Sequence, residues 1–275
     1  MSGHGMVDVG SRYDLRVGRS PDAPDISNFD SKQASFGWIH SYETGSTVDG
    51  PGVRVMVFMS GCLLRCQYCH NPDTWHLKDG TRIELAHAVR RLGDFAPALR
   101  AMGGGLTISG GEPLVQVGFT GGLFAAAKRM GLHTALDTSG YLGSRADDDY
   151  LANVDLVLLD IKSGDPDTYR TVTGVDLEPT LRFAGRLQAL GKPVWVRFVL
   201  VPGLTDDRQN IGRVARFVAP MANVEWVEVL PFHQMGGFKW RTLDVDYRLG
   251  QTPTPTDDQV RAALEIFRRA GCRAR

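Results

Sequence analysis

From Phe36 onward the chain alternates short runs rich in Val, Ile and Leu with longer stretches in which apolar residues recur every three or four positions. The short runs are bounded by turn residues and enriched in β-branched side chains. They predict strands over Val53–Met59, Leu106–Ser109, His133–Asp137, Leu156–Asp160, Val194–Leu200 and Val224–Leu230. The periodic stretches predict helices over about Ile83–Met102, Leu114–Met130, Ala146–Asn153, Asp167–Leu190, Asp206–Ala219 and Thr256–Ala270. In the second of these, Leu123, Phe124, Ala127 and Met130 form one stripe and read as core packing against a sheet. Strands alternating with helices make six βα units and imply a parallel sheet. Such a series fits either an open doubly wound sheet or an incomplete barrel.

Residues 1–35 show no sustained period and are rich in Gly, Ser, Asp and Pro, which predicts a flexible extension. Residues 36–275 are expected to form a single α/β domain. With 43% hydrophobic residues, the 275-residue chain is long enough to bury a large core. Its 31 basic and 31 acidic side chains balance, leaving no electrostatic footprint for nucleic acid. No long uncharged apolar run suggests a membrane span, and no dense Lys/Arg tract suggests a membrane surface. Scarce cysteines and the lack of a secretory leader pattern point to a reducing cytoplasm, and a monomer is expected.

The chemically suggestive residues gather where the predicted strands end. The first strand runs into a cysteine loop, the second into Gly110-Gly111-Glu112-Pro113, and the third ends on Asp137. The fourth ends on Asp160 with Lys162 just beyond, the fifth runs into Val-Pro-Gly, and the sixth into Pro-Phe-His with His233. A barrel brings C-terminal strand ends to one mouth, whereas an open sheet spreads them along its edge, so a partial barrel is favoured.

Cys62, Cys66 and Cys69 fall in GCLLRCQYCHNPDTW with C-x3-C-x2-C spacing. Thiolates select iron–sulfur clusters, zinc or cuprous copper, and three on one loop without a fourth nearby leave a coordination position open. Cys272 is far away in sequence and reads as an incidental thiol. Zinc closed by His70 is one alternative, although zinc modules usually supply two ligand pairs. A disulfide plus a free thiol is another. The remaining residues also have plain readings: a turn for Gly110-Gly111 and for the Asp49–Gly52 run, loop packing for Tyr68 and His70, a salt bridge capping the sheet for Asp160 and Lys162, and an isolated histidine for His233. Arg197 alternates with Trp195 and Val199 and is expected to point into the barrel, where a guanidinium needs partners.

CLLRCQYC followed one strand later by GGEP resembles the radical S-adenosylmethionine enzymes. GWIHSYETGSTVDGPGVR, CQYCHNPDTW, GGGLTISGGEP, HTALDTSG, LDIK and LPFHQMGGFKW together resemble the glycyl-radical enzyme activases of the pyruvate formate-lyase type, from about Gly37 almost to the C-terminus. The resemblance implies a partial (β/α)6 TIM-like barrel and one [4Fe-4S] cluster on Cys62, Cys66 and Cys69. It also implies S-adenosylmethionine bound at the open iron and cleaved reductively, so that a hydrogen is taken from a glycine of a partner protein.

In the matching positions, the resemblance assigns Gly110 and Gly111 to the methionyl ammonium, with Glu112 holding the turn. Tyr68 and His70 match adenine contacts, His233 a nucleoside contact, and Asp137, Asp160, Ile161 and Lys162 the rest of the cofactor site. Lys162 or a monovalent cation near Asp137 and Asp160 would balance the carboxylates. The partners implied are a glycyl-radical enzyme, pyruvate formate-lyase first among them, and an electron donor of the flavodoxin or ferredoxin type. Residues 70–105 hold no cysteine, which favours activases with a single cluster. Pro113 departs from the Ala common in pyruvate formate-lyase activases and leaves another glycyl-radical target open.

Overall fold

The computed structural model of the chain describes residues 34–275, so the predicted extension over 1–35 lies outside the described residues apart from its last two. One eight-stranded sheet forms the centre, in the order β3-β1-β2-β4-β5-β6-β7-β8. The strands are β1 (Phe36–Ser46), β2 (Arg54–Met59), β3 (Thr81–Glu84), β4 (Gly105–Gly110), β5 (His133–Thr138), β6 (Leu156–Asp160), β7 (Val194–Leu200) and β8 (Val224–Pro231). β2 and β4 to β8 run parallel, as the βα series requires, and all six predicted strands are among them. β1 and β3 add an antiparallel edge. The edge strands β3 and β8 do not pair with each other, so the sheet is an open partial barrel.

The helices are α1 (Leu85–Ala101), α2 (Val117–Arg129), α3 (Asp148–Ala152), α4 (Pro166–Thr173), α5 (Glu178–Ala189), α6 (Arg208–Val218), α7 (Gly237–Thr242) and α8 (Asp257–Arg269). Their starts follow capping chemistry: Asp207 accepts from two backbone N–H groups at the head of α6, and Thr256 with Gln259 forms a reciprocal box at α8. The single helix expected over Asp167–Leu190 is two. Gly174 adopts a left-handed conformation (φ 78°) that ends α4, and Pro179 sits in the first turn of α5. Tyr169, Val172, Phe183 and Leu187 keep an apolar face on both pieces, which is why periodicity ran through the break. Ile83 belongs to β3 rather than to α1, and Leu114 to a 3-10 turn preceding α2.

Side chains alternate across the sheet. Val55, Val57, Leu106, Ile108, Leu136, Val157, Leu159, Val196 and Phe198 face the helices and form the main core with Phe119, Phe124, Leu187 and Phe267. Gly37 is required there, because a Cβ would stand 2.5 Å from the Phe119 ring. The opposite, concave face carries Arg54, Thr107, Ser109, Asp137, Asp160, Arg197 and Glu228. Arg54 is fully buried; its guanidinium donates to Thr107 Oγ1 at 3.0 Å, Leu106 O at 2.5 Å and Pro51 O at 3.2 Å. These bonds fold the Asp49–Gly52 turn against the start of β4, and a Cβ on Gly52 would lie 2.2 Å from Gly103 O just ahead of that strand. The turn thereby closes the lower end of the concave face and leaves the C-terminal strand ends open.

Candidate functional site

β2 delivers the cysteine loop to that open end. Cys62 and Cys66 are buried and Cys69 half-buried, all three as free thiols. Backbone bonds hold the loop on both sides: Cys62 N–H donates to Trp75 O (3.0 Å), Arg65 N–H to Thr173 O (2.7 Å) and Gln67 N–H to Val172 O (2.9 Å). The Arg65 guanidinium donates to Cys62 O and Leu64 O and lies over the Trp75 ring. Burial pushes the Cys66 thiol up to about 12 and the Cys62 thiol further. Thiols so desolvated ionise only where a strong positive charge replaces the lost water, which a bound metal centre does.

β4 places its glycine turn against this loop. Gly110 has φ 110°, and a Cβ there would lie 2.2 Å from Met59 N; one on Gly111 would lie 2.5 Å from Gly61 O. Only glycines allow the two backbones to meet so closely. Glu112, 1% exposed, turns inward and accepts from Thr138 Oγ1 (2.7 Å), Ser139 Oγ (2.6 Å), Ser139 N–H (3.1 Å) and Leu114 N–H (3.1 Å). Burial raises its carboxyl above the ordinary value, and these donors offset part of that rise. Glu112 thus ties the end of β4 to the end of β5.

Asp137, Asp160, Lys162 and Arg197 stand on the concave face together. Lys162 Nζ is 2.8 Å from Asp160 Oδ2, so the ion pair is formed, and it also lies over the Tyr68 ring. Burial alone would lower the Lys162 ammonium; Asp160 leads the interactions that hold it well above the usual range. Arg197 points inward as its strand position requires and pairs with Asp49, Asp137 and Glu228 at 3.0, 3.3 and 3.3 Å. Asp137 accepts from Ser109 Oγ at 2.6 Å, and burial, eased by Arg197, pushes its carboxyl up to about 6. Ile161 is 1% exposed within the helix-facing core, and its backbone N–H donates to Arg197 O at 3.1 Å.

On the other side of the mouth, His70 and His233 stack with ring centroids 4.2 Å apart. Tyr68 is buried in a cluster with Val172, Val201, Phe232 and Leu249. Trp240 on α7 donates to Cys69 O at 2.8 Å and packs edge-on against Trp75 at 5.1 Å. Arg65, Trp75, Lys239 and Trp240 are residues that the sequence reading did not assign, although CQYCHNPDTW and FKW contain most of them.

A family model for the radical SAM superfamily matches residues 56–215, which span the loop, the glycine turn and the strand ends just described. The chain belongs to the radical SAM superfamily. Among curated radical SAM relatives, the pyruvate formate-lyase-activating enzyme of Staphylococcus aureus (strain USA300) is 43% identical over 234 residues, covering 82% of this chain and 93% of that protein. A domain of the pyruvate-formate lyase-activating enzyme from Bacteroides vulgatus superposes with TM-score 0.53 at 26% identity, covering 62% of this chain and 98% of that one. A radical SAM methyltransferase from Sphaerobacter thermophilus matches in fold, with TM-score 0.58 at 16% identity over 87% of this chain and 76% of that one.

The donor set fits the cluster and cofactor of a radical SAM enzyme. Three thiols on one loop are the donor type an iron–sulfur cluster takes, one thiolate to each of three irons. His70, the fourth ligand that a zinc site would need, faces His233 instead. Three buried polar atoms at the site, Tyr68 Oη, Asp137 Oδ1 and His233 Nδ1, have no partner in the protein. Buried polar atoms are ordinarily paired, so a polar ligand is the natural complement.

Proposed function

We propose that this chain activates pyruvate formate-lyase by generating a glycyl radical on it, using one [4Fe-4S] cluster and S-adenosylmethionine. The observation that carries this reading is the packing of the three-cysteine loop onto the Gly110-Gly111 turn, in a chain 43% identical to a curated activating enzyme over nearly the whole of that enzyme. When bound, the cluster would supply the electron for reductive cleavage of S-adenosylmethionine to methionine and a 5'-deoxyadenosyl radical, the species able to take hydrogen from glycine.

The protein's part is to bind, orient and exclude water. Cys62, Cys66 and Cys69 would hold the cluster through three thiolates, a donor set that would leave a coordination position for the cofactor. Gly110 and Gly111 let the backbone approach the ammonium, with Glu112 fixing the turn. Asp160 with Lys162, and Asp137 with Arg197, bring paired charges to the polar end of the cofactor, and a monovalent cation near Asp137 and Asp160 would complete the balance. The Ile161 backbone, Tyr68, His70 and His233 take the nucleoside end. Residues 36–275 act as one domain, and the protein works as a cytoplasmic monomer reduced by a flavodoxin- or ferredoxin-type donor. No helix among the described residues is long and apolar enough to cross a membrane.

The test is anaerobic reconstitution followed by iron and sulfide analysis, methionine and 5'-deoxyadenosine assay, and electron paramagnetic resonance with pyruvate formate-lyase added. A colourless protein holding zinc without labile sulfide would sink the enzyme reading. Cofactor cleavage without a glycyl radical on pyruvate formate-lyase would favour the second reading, another glycyl-radical target, which Pro113 in the glycine turn keeps in play.

A further inference from the structure

α7 and the turn before it lie across the second half of the cysteine loop. The segment is short, and a helix of this length has little stability of its own. Its large apolar side chains do not anchor it all round, since Met235 is 76% and Phe238 57% exposed. Gln234 ties the turn to the chain that follows, through Leu249 O and Thr252 O, whereas the ties to the cysteine loop are Trp240, on Cys69 O and Trp75, and Lys239. Lys239 Nζ lies 2.8 Å from Asn71 Oδ1 and 2.9 Å from Asp73 Oδ2, and the same Asp73 oxygen lies 3.0 Å from His40 Nε2 on β1. These side chains are only about one-fifth to three-tenths exposed, with Lys239 at 21% and Asp73 at 29%, so solvent screens the pair less than it would a surface one.

The two ends of this bridge bracket the stacked histidines. Asn71 follows His70, and Lys239 lies in the helix that continues the chain from His233. The contact is close throughout, because a Cβ on Gly236 would lie 2.7 Å from His70 Cα. We propose that Lys239 is a positioning residue for cofactor binding: by pinning α7 to Asn71 and Asp73 it sets the distance and tilt of the His70–His233 pair, without itself touching the cofactor. This inference rests on the reading of the site as one for S-adenosylmethionine.

The experiment compares the full-length, anaerobically reconstituted protein with Lys239→Met, Lys239→Arg, Asp73→Asn and the double variant Lys239→Met/Asp73→Asn. It measures iron and sulfide content, the unfolding midpoint, and S-adenosylmethionine affinity from the change in the cluster's paramagnetic resonance spectrum. Lys239→Met is expected to load its cluster normally and to bind S-adenosylmethionine about tenfold more weakly, the size of loss typical of residues that orient a ligand's direct contacts. Lys239→Arg, which keeps a cation for two separate acceptors, should stay within about twofold of the parent. Asp73→Asn should weaken binding in the same direction, and the double variant should be no weaker than Lys239→Met alone, since both changes break one bridge. An unchanged affinity in Lys239→Met, with or without a lower unfolding midpoint, overturns the proposal, as do losses that multiply in the double variant. Should Lys239→Met fail to load iron, the near-isosteric Asp73→Asn decides: unchanged affinity there also overturns it. If the parent itself loads a cluster but does not respond to S-adenosylmethionine, the reading of the site fails and takes the inference with it.

Discussion

Arg197 on β7 reaches across β6 to Asp137 on β5, its Nη1 3.3 Å from Oδ2, while the same guanidinium holds Asp49 and Glu228. One cation therefore serves three carboxylates, and although Glu228 is also held by Arg275, removing Arg197 leaves Asp49 and Asp137 without their cationic partner at a largely buried site. Arg197→Met should destabilise the fold by about 3–5 kcal/mol, the usual cost of breaking a buried pair from one side. Asp137→Asn in that background should recover part of the loss. Urea unfolding of the single and double variants measures both, and additive effects would show that the two residues are not coupled.

Glu112 is the corresponding tie between β4 and β5. Its two oxygens accept four hydrogen bonds, from Thr138, Ser139 and Leu114, at a site 1% exposed. Glu112→Ala strands those donors in the interior, and each unpaired buried donor costs about 1–3 kcal/mol. The variant should unfold at markedly lower denaturant and lose iron from the reconstituted protein, because the glycine turn would no longer be fixed against the cysteine loop. Glu112→Gln should fall in the same direction, since its amide NH2 would face the Ser139 N–H donor. An iron content equal to the parent's in both variants would count against this role.

Much of this arrangement was legible in the sequence alone. The six parallel strands are largely buried, with Val, Ile, Leu and Phe at their helix-facing positions, and so read as compact apolar runs, and their C-terminal ends carry the residues that the fold gathers at one mouth. β1 and β3 did not show, because they form a partly solvated edge: β1 carries Gly37, His40, Ser41 and Glu43 among its apolar residues, and β3 is largely exposed. The fold puts Ile161 in the helix-facing core while Asp160 and Lys162 pair on the concave side, a distinction that the motif LDIK by itself does not make. Trp240 and Cys69 are 171 residues apart, so no local pattern pairs them, and the same holds for Lys239 with Asp73.

Stability should show an acid-side dependence on Asp155, away from the candidate site. Burial would push this carboxyl up, but Lys128, whose Nζ is 2.6 Å from Oδ1, and Thr134, whose N–H is 2.9 Å from Oδ2, hold it below the ordinary value. In the folded state it therefore gives up its proton more readily than in the unfolded state. Its contribution is present above the ordinary carboxylate range and is lost as the pH falls through the folded value. The difference in unfolding free energy between the parent and Asp155→Asn should shrink as the pH falls below the ordinary carboxylate range. A difference that stays constant or widens would contradict this assignment.

Two glycine-to-alanine changes should act with opposite signs. At Gly110, φ is 110° and an added Cβ would meet Met59 N at 2.2 Å and Met59 O at 2.5 Å, atoms of a backbone that cannot step aside without breaking the β2–β4 ladder. Left-handed strain of roughly 1–2 kcal/mol adds to that clash. Gly110→Ala should therefore destabilise the protein by at least about 2 kcal/mol and lower the iron retained per chain, because the turn would be forced away from the cysteine loop. Gly185 lies inside α5 with nothing within 4 Å of the place an added methyl group would take, so Gly185→Ala meets open space. There alanine should stabilise by about 0.5–1 kcal/mol through helix propensity and leave iron content unchanged. Thermal unfolding and iron analysis of the two variants side by side separate the local demand of the glycine turn from a general response to an added methyl group. Equal effects at both positions would remove the case for close backbone approach at Gly110.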